Sequence, residues 1–185
     1  MRIIAGEARG RRLYAPGGEE TRPTADRIRE SVFGILGARV AGARVLDLFG
    51  GSGALALEAL SRGAARATIV DSGVKPIACI RRNAEAVLGE DVDRAQIIRA
   101  DYRKAIERMR DGFDLVFLDP PYRMEAAYAD ALARLRERGL LLKEAVIVLE
   151  RSAARDVPLP GGFSVRDARL YGETCVEFIG EGEQT

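Results

Sequence analysis

From residue 43 to residue 150 short apolar runs alternate with longer stretches whose apolar residues recur at helical spacing. The runs 44–49 (RVLDLF), 67–71 (ATIVD), 96–99 (QIIR), 114–118 (DLVFL) and 145–150 (AVIVLE) predict strands covered on both faces. Between them 53–62, 74–88, 102–110 and 125–138 predict helices. That alternation predicts an α/β domain built on a parallel sheet with helices on both sides. The ending differs: 163–170 and 174–179 are joined only by Tyr171-Gly172-Glu173, too short for a crossover helix, so they predict an antiparallel hairpin. At the other end, 2–5 and 11–15 read as two short strands around EARGR, closed by Pro16-Gly17-Gly18. Thr24 then reads as an N-cap with Asp26 in the first turn, and Ile28, Val32, Ile35 and Leu36 make 24–38 an amphipathic helix. The expected organisation is a single domain, 1–185, with 1–38 as a hairpin-helix extension and the final EGEQT as a frayed tail.

A length of 185 residues suits one domain with a real core and leaves little room for two. No apolar run approaches the roughly 18–20 residues of a membrane span, and MRIIAGEARGRR lacks the apolar core of a signal peptide, so a cytoplasmic protein without a membrane partner is expected. Cys79 and Cys175 offer neither a disulfide framework nor a metal-ligand spacing. The chain has no histidine, which removes the usual general base and the usual metal ligand. Chemistry therefore has to come from carboxylates, backbone groups or a cofactor, and no metal is expected. A net charge of +1 argues against a general polyanion binder, so any nucleic-acid surface has to be a local patch. Of the 29 basic residues 26 are arginine, which suits phosphate and base contacts and equally reflects the codon bias of a GC-rich genome.

The first predicted strand runs into Asp47-Leu48-Phe49-Gly50-Gly51-Ser52-Gly53 and then a helix. Glycines here allow close approach of a ligand to the backbone, and the helix start offers free N–H groups. Gly51-x-Gly53-x-x-Ala56 fits a relaxed dinucleotide fingerprint, with Asp71 20 residues after Gly51 in the position of a ribose-binding acid. A nicotinamide-dependent module is one reading. Asp47 favours another, because a carboxylate facing the loop repels a pyrophosphate and attracts an ammonium such as the amino end of S-adenosylmethionine. Asp71 would then take the ribose hydroxyls, while Asp101 and Tyr102 would take the adenine amino group and ring. Each acid alone is equally a helix cap or a solvated turn; three at successive strand ends line the crevice where such sheets bind ligands.

Asp119-Pro120-Pro121-Tyr122 is the most specific signal. Two prolines fix the backbone and remove two N–H donors, leaving Asp119 and the Pro120 carbonyl to accept both hydrogens of a planar amino group. An aniline-like nitrogen is a poor nucleophile because its lone pair is delocalised, and holding its hydrogens directs that pair toward a sulfonium methyl. Tyr122 can stack on a flipped-out base. The transfer is a direct displacement in which positioning and desolvation dominate, so no histidine is needed. The plainer reading is a strand-ending turn. Cysteine attack on a pyrimidine is a rival chemistry, but Cys79 lies on an apolar helix face and Cys175 in a strand, which predicts core positions.

LDLFGGSGALALEAL (46–60), DPPY (119–122) and RPTADRIRESVF (22–33) resemble the bacterial 16S ribosomal RNA guanine-N2 methyltransferases of the RsmD type, and the likeness runs from IIAGEARGRRL to YGETCVEF. The resemblance implies a class I S-adenosylmethionine-dependent methyltransferase fold, Rossmann-like, with the hairpin completing a seven-stranded mixed sheet. It implies methyl transfer to a guanine of small-subunit rRNA, the one customarily called G966. Asp47, Gly50, Gly51, Gly53, Asp71, Asp101 and Tyr102 would hold the cofactor and Asp119 to Tyr122 the base. The 22–30 segment, with Arg22, Thr24 and Arg27, would close over the methionine end and the RNA. Asp71 departs from the glutamate expected there. Arg9, Arg11 and Arg12, with Arg2 and against only Glu7, make a basic N-terminal patch that could position phosphates or be a solvated face. With no separate target-reading domain, a monomer acting on an assembled or assembling small ribosomal subunit is expected. The alternatives are an adenine-N6 methyltransferase on DNA or RNA, a protein glutamine-amide methyltransferase, and the nicotinamide-binding module.

Overall fold

Why the ligand crevice forms where it does follows from the order in which the strands are laid down. The computed structural model describes residues 1–17, 23–121 and 124–182, the side chains of Pro23 and Thr24 aside. In chain order the elements are α1 (Pro23–Leu36), a 3-10 turn (Gly37–Val40), β1 (Arg44–Asp47), α2 (Ala54–Ser61), β2 (Arg66–Asp71), α3 (Val74–Leu88), a second 3-10 stretch (Gly89–Arg94), β3 (Ala95–Arg99), α4 (Tyr102–Arg108), β4 (Phe113–Leu118), α5 (Ala126–Glu137), β5 (Leu141–Ser152), β6 (Phe163–Tyr171) and β7 (Thr174–Glu181).

The strands form one seven-stranded sheet in the order β3-β2-β1-β4-β5-β7-β6. The first five are parallel, β7 runs antiparallel to β5, and β6 antiparallel to β7. Alternate residues of each central strand enter different cores. Val45, Leu115, Phe117 and Val148 pack with α1, α2 and α3, whereas Leu46, Val116, Leu118, Ile147 and Leu149 pack with α4 and α5. The winding reverses between β1 and β4, which leaves an open crevice past their carboxyl ends.

The N-terminal hairpin is short and is held to α2 as well as to itself. Residues 2–5 and 11–15 pair through the antiparallel bridge Arg2 to Arg12, with Ile3 N–H donating to the Arg11 carbonyl at 2.9 Å, Gly10 N–H to the Ile3 carbonyl at 2.9 Å and Leu13 N–H to the Met1 carbonyl at 3.0 Å. Ile4 and Ala5 donate their N–H groups to the Glu58 carboxylate at 2.8 and 3.0 Å, Ala8 donates to Ser61 Oγ, and Glu7 to the Ser61 carbonyl. Gly6 lies against that carbonyl at φ +85°, where a Cβ would stand 1.8 Å from the oxygen. Ile3, Ala8 and Leu13 are buried beneath the strap so formed.

Three differences from the sequence pattern are local. The first helix begins at Pro23, which suits a first helical position, so Thr24 lies in its first turn and does not cap it. β5 begins before the predicted run, at Leu141; the exposed pair Lys143-Glu144 hides this in the pattern, and Glu144 at φ 63° accompanies a register shift against β4. Glu181 of the expected tail pairs with Phe163, while 183–185, Gly18 and the Arg22 and Tyr122 positions lie outside the described residues. Among the described residues no helix is long and apolar enough to cross a membrane.

Candidate active site

β1 ends at Asp47 and β4 at Leu118, which is registered with Leu149 of β5, so Asp119, the first residue after β4, and Glu150 of β5 follow that pair on adjacent chains. Leu118 and Leu149 face α4 and α5; side chains alternate, so Asp119 and Glu150 turn to the opposite face, toward α1. Asp47 stands level with Phe117 and shares that face. All three carboxyls line one cavity of about 220 Å³, roofed by Ile28, Arg29 and Val32 of α1 and bordered by Phe49 to Ser52 and Val176.

Asp47 is 2% exposed, and burial pushes its carboxyl up to about 7. N–H groups of Phe49 and Ala56 oppose that rise and the Asp71 charge adds to it. Asp119 opens onto the cavity, yet protein surrounds it closely enough that burial raises its carboxyl too, with the charges of Glu150 and Asp47 adding. Burial likewise raises Glu150. Arg29 is 4% exposed and faces the cavity, but its guanidinium is engaged by the Arg2 carbonyl, by Asp26 at 3.1 Å and by Glu58, whose carboxylate lies 3.6 Å from Nε. Three carboxyls against one committed guanidinium favour a cationic ligand. A sulfonium with an ammonium group fits that balance, and a pyrophosphate does not.

The glycine loop is built for packing as much as for access. Gly50 donates to the Val70 carbonyl at 2.8 Å, and a Cβ there would lie 2.6 Å from Ile69, so Gly50 serves the strand contact. Gly51, at φ +56°, faces open space, and its N–H donates to Asp71 Oδ2 at 3.0 Å. Asp71 Oδ1 accepts from Gly73 at 2.7 Å. A carboxylate has about four lone-pair sites, so Asp71 can hold the loop and still accept from a ribose. Asp71 and Asp101 do not border the cavity that Asp47 and Asp119 line. Asp101 caps α4 by accepting from Arg103 at 3.0 Å. Gly53 caps α2 at φ 79°.

Tyr102 corrects an expectation. It is 2% exposed, and its hydroxyl donates to Asp130 at 2.7 Å, inside the core formed with α5. Phe49, partly buried with its ring centroid 5.3 Å from that of Tyr102, is the aromatic ring that reaches the cavity. Pro121 accepts from Met124 N at 2.7 Å, so the amino-group reading rests on the carbonyl of Pro120. Both cysteines are buried and unbridged, and burial pushes both thiols up, which is contrary to a nucleophile. Arg2, Arg9 and Arg27 border one surface hollow with Asp26 and Glu30; Arg11 and Arg12 are exposed outside it.

Glu150 was missed by the sequence reading, although its signal is the same as for the other acids: AVIVLE ends a strand in a carboxylate. Arg29 and Glu58 were also missed, since a charged residue in a helix reads as solvated until its partners are placed.

A family model described as "Conserved hypothetical protein 95" matches residues 1–180. The chain is 38% identical to the "Putative rRNA methyltransferase YlbH" of Bacillus subtilis, covering 95% of this chain and 96% of that protein. It is 32% identical to the "Ribosomal RNA small subunit methyltransferase D" of Escherichia coli K12, over 95% and 87% respectively. The solved structure titled "Putative methyltransferase yhhF from Escherichia coli" superposes with a TM-score of 0.84 at 31% identity, over 100% of this chain and 99% of that one.

Proposed function

The chain belongs to the conserved hypothetical protein 95 family, the family of RsmD, and on that premise we propose that it is an S-adenosyl-L-methionine-dependent methyltransferase of ribosomal RNA, acting on the exocyclic N2 of a guanine in 16S rRNA, G966. The observation that carries the reading is the meeting of Asp47 and Asp119 in one acidic cavity at the point where the winding of the sheet reverses.

The methyl donor supplies an electrophilic methyl group on a positively charged sulfur. Asp47 takes its ammonium end, Asp71 the ribose hydroxyls and Asp101 the adenine amino group, with Gly50, Gly51 and Gly53 shaping the loop between them. Phe49 provides the apolar wall for which Tyr102 was expected. Asp119 and the Pro120 carbonyl accept the two hydrogens of the target amino group, holding its lone pair out of the ring plane. Guanine offers a carboxylate two neighbouring donors, N1–H and the N2 amino group, whereas adenine places an acceptor beside its amino group; this favours guanine over the adenine alternative. Tyr122 keeps the stacking role read from sequence.

The exposed Arg9, Arg11, Arg12 and Arg27 support an RNA-facing surface, and Arg22 and Thr24 belong to the same segment by sequence. Residues 1–185 act as one catalytic domain with 1–38 as its extension, as a monomer in the cytoplasm, on a small subunit assembled or being assembled.

The test is methyl transfer to small-subunit particles lacking the modification, followed by mass spectrometry of the nucleosides. N2-methylguanine is expected, and N6-methyladenine in its place overturns the guanine assignment. Asp119→Ala should keep cofactor affinity and lose turnover by about 10²-fold or more. Tighter calorimetric binding of NAD than of S-adenosylmethionine overturns the methyltransferase reading itself.

A further inference from the structure

Glu150 has no part in the chemistry described so far, yet its position is as specific as that of Asp119. It follows Leu149, which is registered with Leu118, so the two carboxyls leave adjacent parallel strands at the same height and on the same face. Neighbouring strands lie about 4.8 Å apart, which puts the two side chains side by side. The backbone at Glu150 is pinned, its carbonyl accepting from the Tyr128 hydroxyl at 2.6 Å. Its carboxyl lines the cavity. No hydrogen bond or ion pair to that carboxyl is formed among the described residues, whereas Glu58 and Glu177 each hold an arginine.

An amino group that receives a methyl becomes positively charged and must lose a proton. We propose that Glu150 is a further catalytic residue, the group that accepts this proton while Asp119 holds the amino group in place. The proposal rests on the methyltransferase reading above. In the step, the nitrogen lone pair forms the N–C bond and the C–S bond breaks with its pair going to sulfur. As the methylated nitrogen becomes tetrahedral, the N–H that the Pro120 carbonyl held turns to a Glu150 carboxylate oxygen and passes its proton there, its bonding pair returning to nitrogen as the new lone pair.

Between the two acids the choice falls on Glu150 for a physical reason. Hydrogen bonds received by a carboxylate stabilise its charged form and make it a poorer base. Asp119, accepting from the amino group, is weakened in that way; Glu150, without donors of its own, is not. Burial makes both groups stronger bases, and the Glu150 charge raises Asp119 further, so it is the hydrogen bond Asp119 receives from the amino group that separates the two. The charged groups facing Glu150 are Asp119 from β4, Asp47 from β1 and Arg29 from α1; β7 presents Val176. Of these only Arg29 would weaken the base, and it is occupied by Glu58, Asp26 and the Arg2 carbonyl.

The experiment compares wild type, Glu150→Gln and Glu150→Asp in single-turnover methyl transfer across a pH series. Alongside it run calorimetric affinity for S-adenosylhomocysteine and carbon-13 NMR titration of Asp119 in the ligand-free protein. Glu150→Gln should lose about 10²-fold in rate with product affinity kept, and Glu150→Asp should recover part of it. In Glu150→Gln the Asp119 titration and the acid limb of the rate should both move to lower pH, because a neighbouring negative charge has gone. Wild-type rate in Glu150→Gln overturns the proposal. So do equal losses in both variants with the Asp119 titration unmoved, the pattern of a packing role. If wild type itself transfers no methyl group, the parent reading fails and the proposal falls with it.

Discussion

Asn83, fully buried in α3, donates a hydrogen bond of 2.8 Å from its amide nitrogen to the carbonyl of Ser52 in the glycine loop. The same amide reads Tyr14 in both directions, accepting from its N–H at 2.8 Å and donating to its carbonyl at 2.9 Å. One side chain thus ties the glycine loop to the N-terminal strap.

Replacing Asn83 should separate that tie from simple volume. Asn83→Asp keeps the acceptor for Tyr14 N–H but turns an oxygen toward two carbonyls that lose their donor. Unsatisfied buried groups cost about 1–3 kcal/mol each, so a loss of a few kcal/mol in urea unfolding is expected. The Michaelis constant for S-adenosylmethionine should rise more than turnover falls. Unchanged stability in Asn83→Asp would show that the tie is slack.

Asp47 sets a direction for pH dependence. In the unfolded chain its carboxyl titrates near its ordinary value of 3.8, and burial brings it to about 7 in the fold. The folded state therefore binds the extra proton, and the associated stability is full below about pH 4 and lost as pH rises through 7. Asp47→Asn should flatten this part of the profile, gaining on the order of a few kcal/mol relative to wild type between pH 4 and 8. Urea unfolding at several pH values measures it, and parallel profiles for the two proteins would contradict it. The same substitution should weaken cofactor binding.

Glu58 and Asp111 illustrate how little a count of ion pairs says. Glu58 is fully buried and holds Arg62 at 2.8 Å, Arg29 at 3.6 Å and two backbone N–H groups of the strap. The Arg66–Asp111 pair at 3.1 Å has both side chains at least half exposed. Glu58→Ala should cost about 3–5 kcal/mol, and Asp111→Ala less than about 1 kcal/mol. Denaturation midpoints of the two variants side by side test the contrast.

The arginine patch predicts a salt dependence. Replacing Arg9, Arg11 and Arg12 together with alanine should weaken RNA binding and reduce the slope of log affinity against log salt by about 2 to 3, without altering cofactor affinity. An unchanged slope in filter-binding titrations would assign these residues to a solvated face.

Much of the layout was legible because a two-faced parallel sheet writes itself as apolar runs, and the spacing from Asp47 to Asp119 follows from the strand ends. What was not legible depends on contacts distant in sequence. The anchoring of the N-terminal strap to α2 was hidden because Glu58 and Ser61 supply those hydrogen-bond partners from more than 50 residues away. Tyr102 looked available because it follows a strand-end acid, yet helical geometry turned its ring inward to Asp130. Glu150 bears the same sign as the other acids and escaped notice only because it is an isolated glutamate at the end of an otherwise apolar run.

The place of β7 between β5 and β6 has a consequence for how the chain is made. Synthesis runs from the amino end, so the last strand to emerge is an interior strand, and β6 has no place in the sheet until β7 arrives beside β5. The roof of the cavity waits as well: Ser31 of α1 is hydrogen-bonded to Tyr171, and Val176 completes the wall beside Glu150. A nascent chain stopped before residue 174 would carry Asp47, Asp119 and Glu150 yet leave the acids open to water on the β7 side. Catalytic competence should therefore appear late and all at once during translation, and arrested chains lacking the final strand should expose the apolar edge of β5 to chaperones.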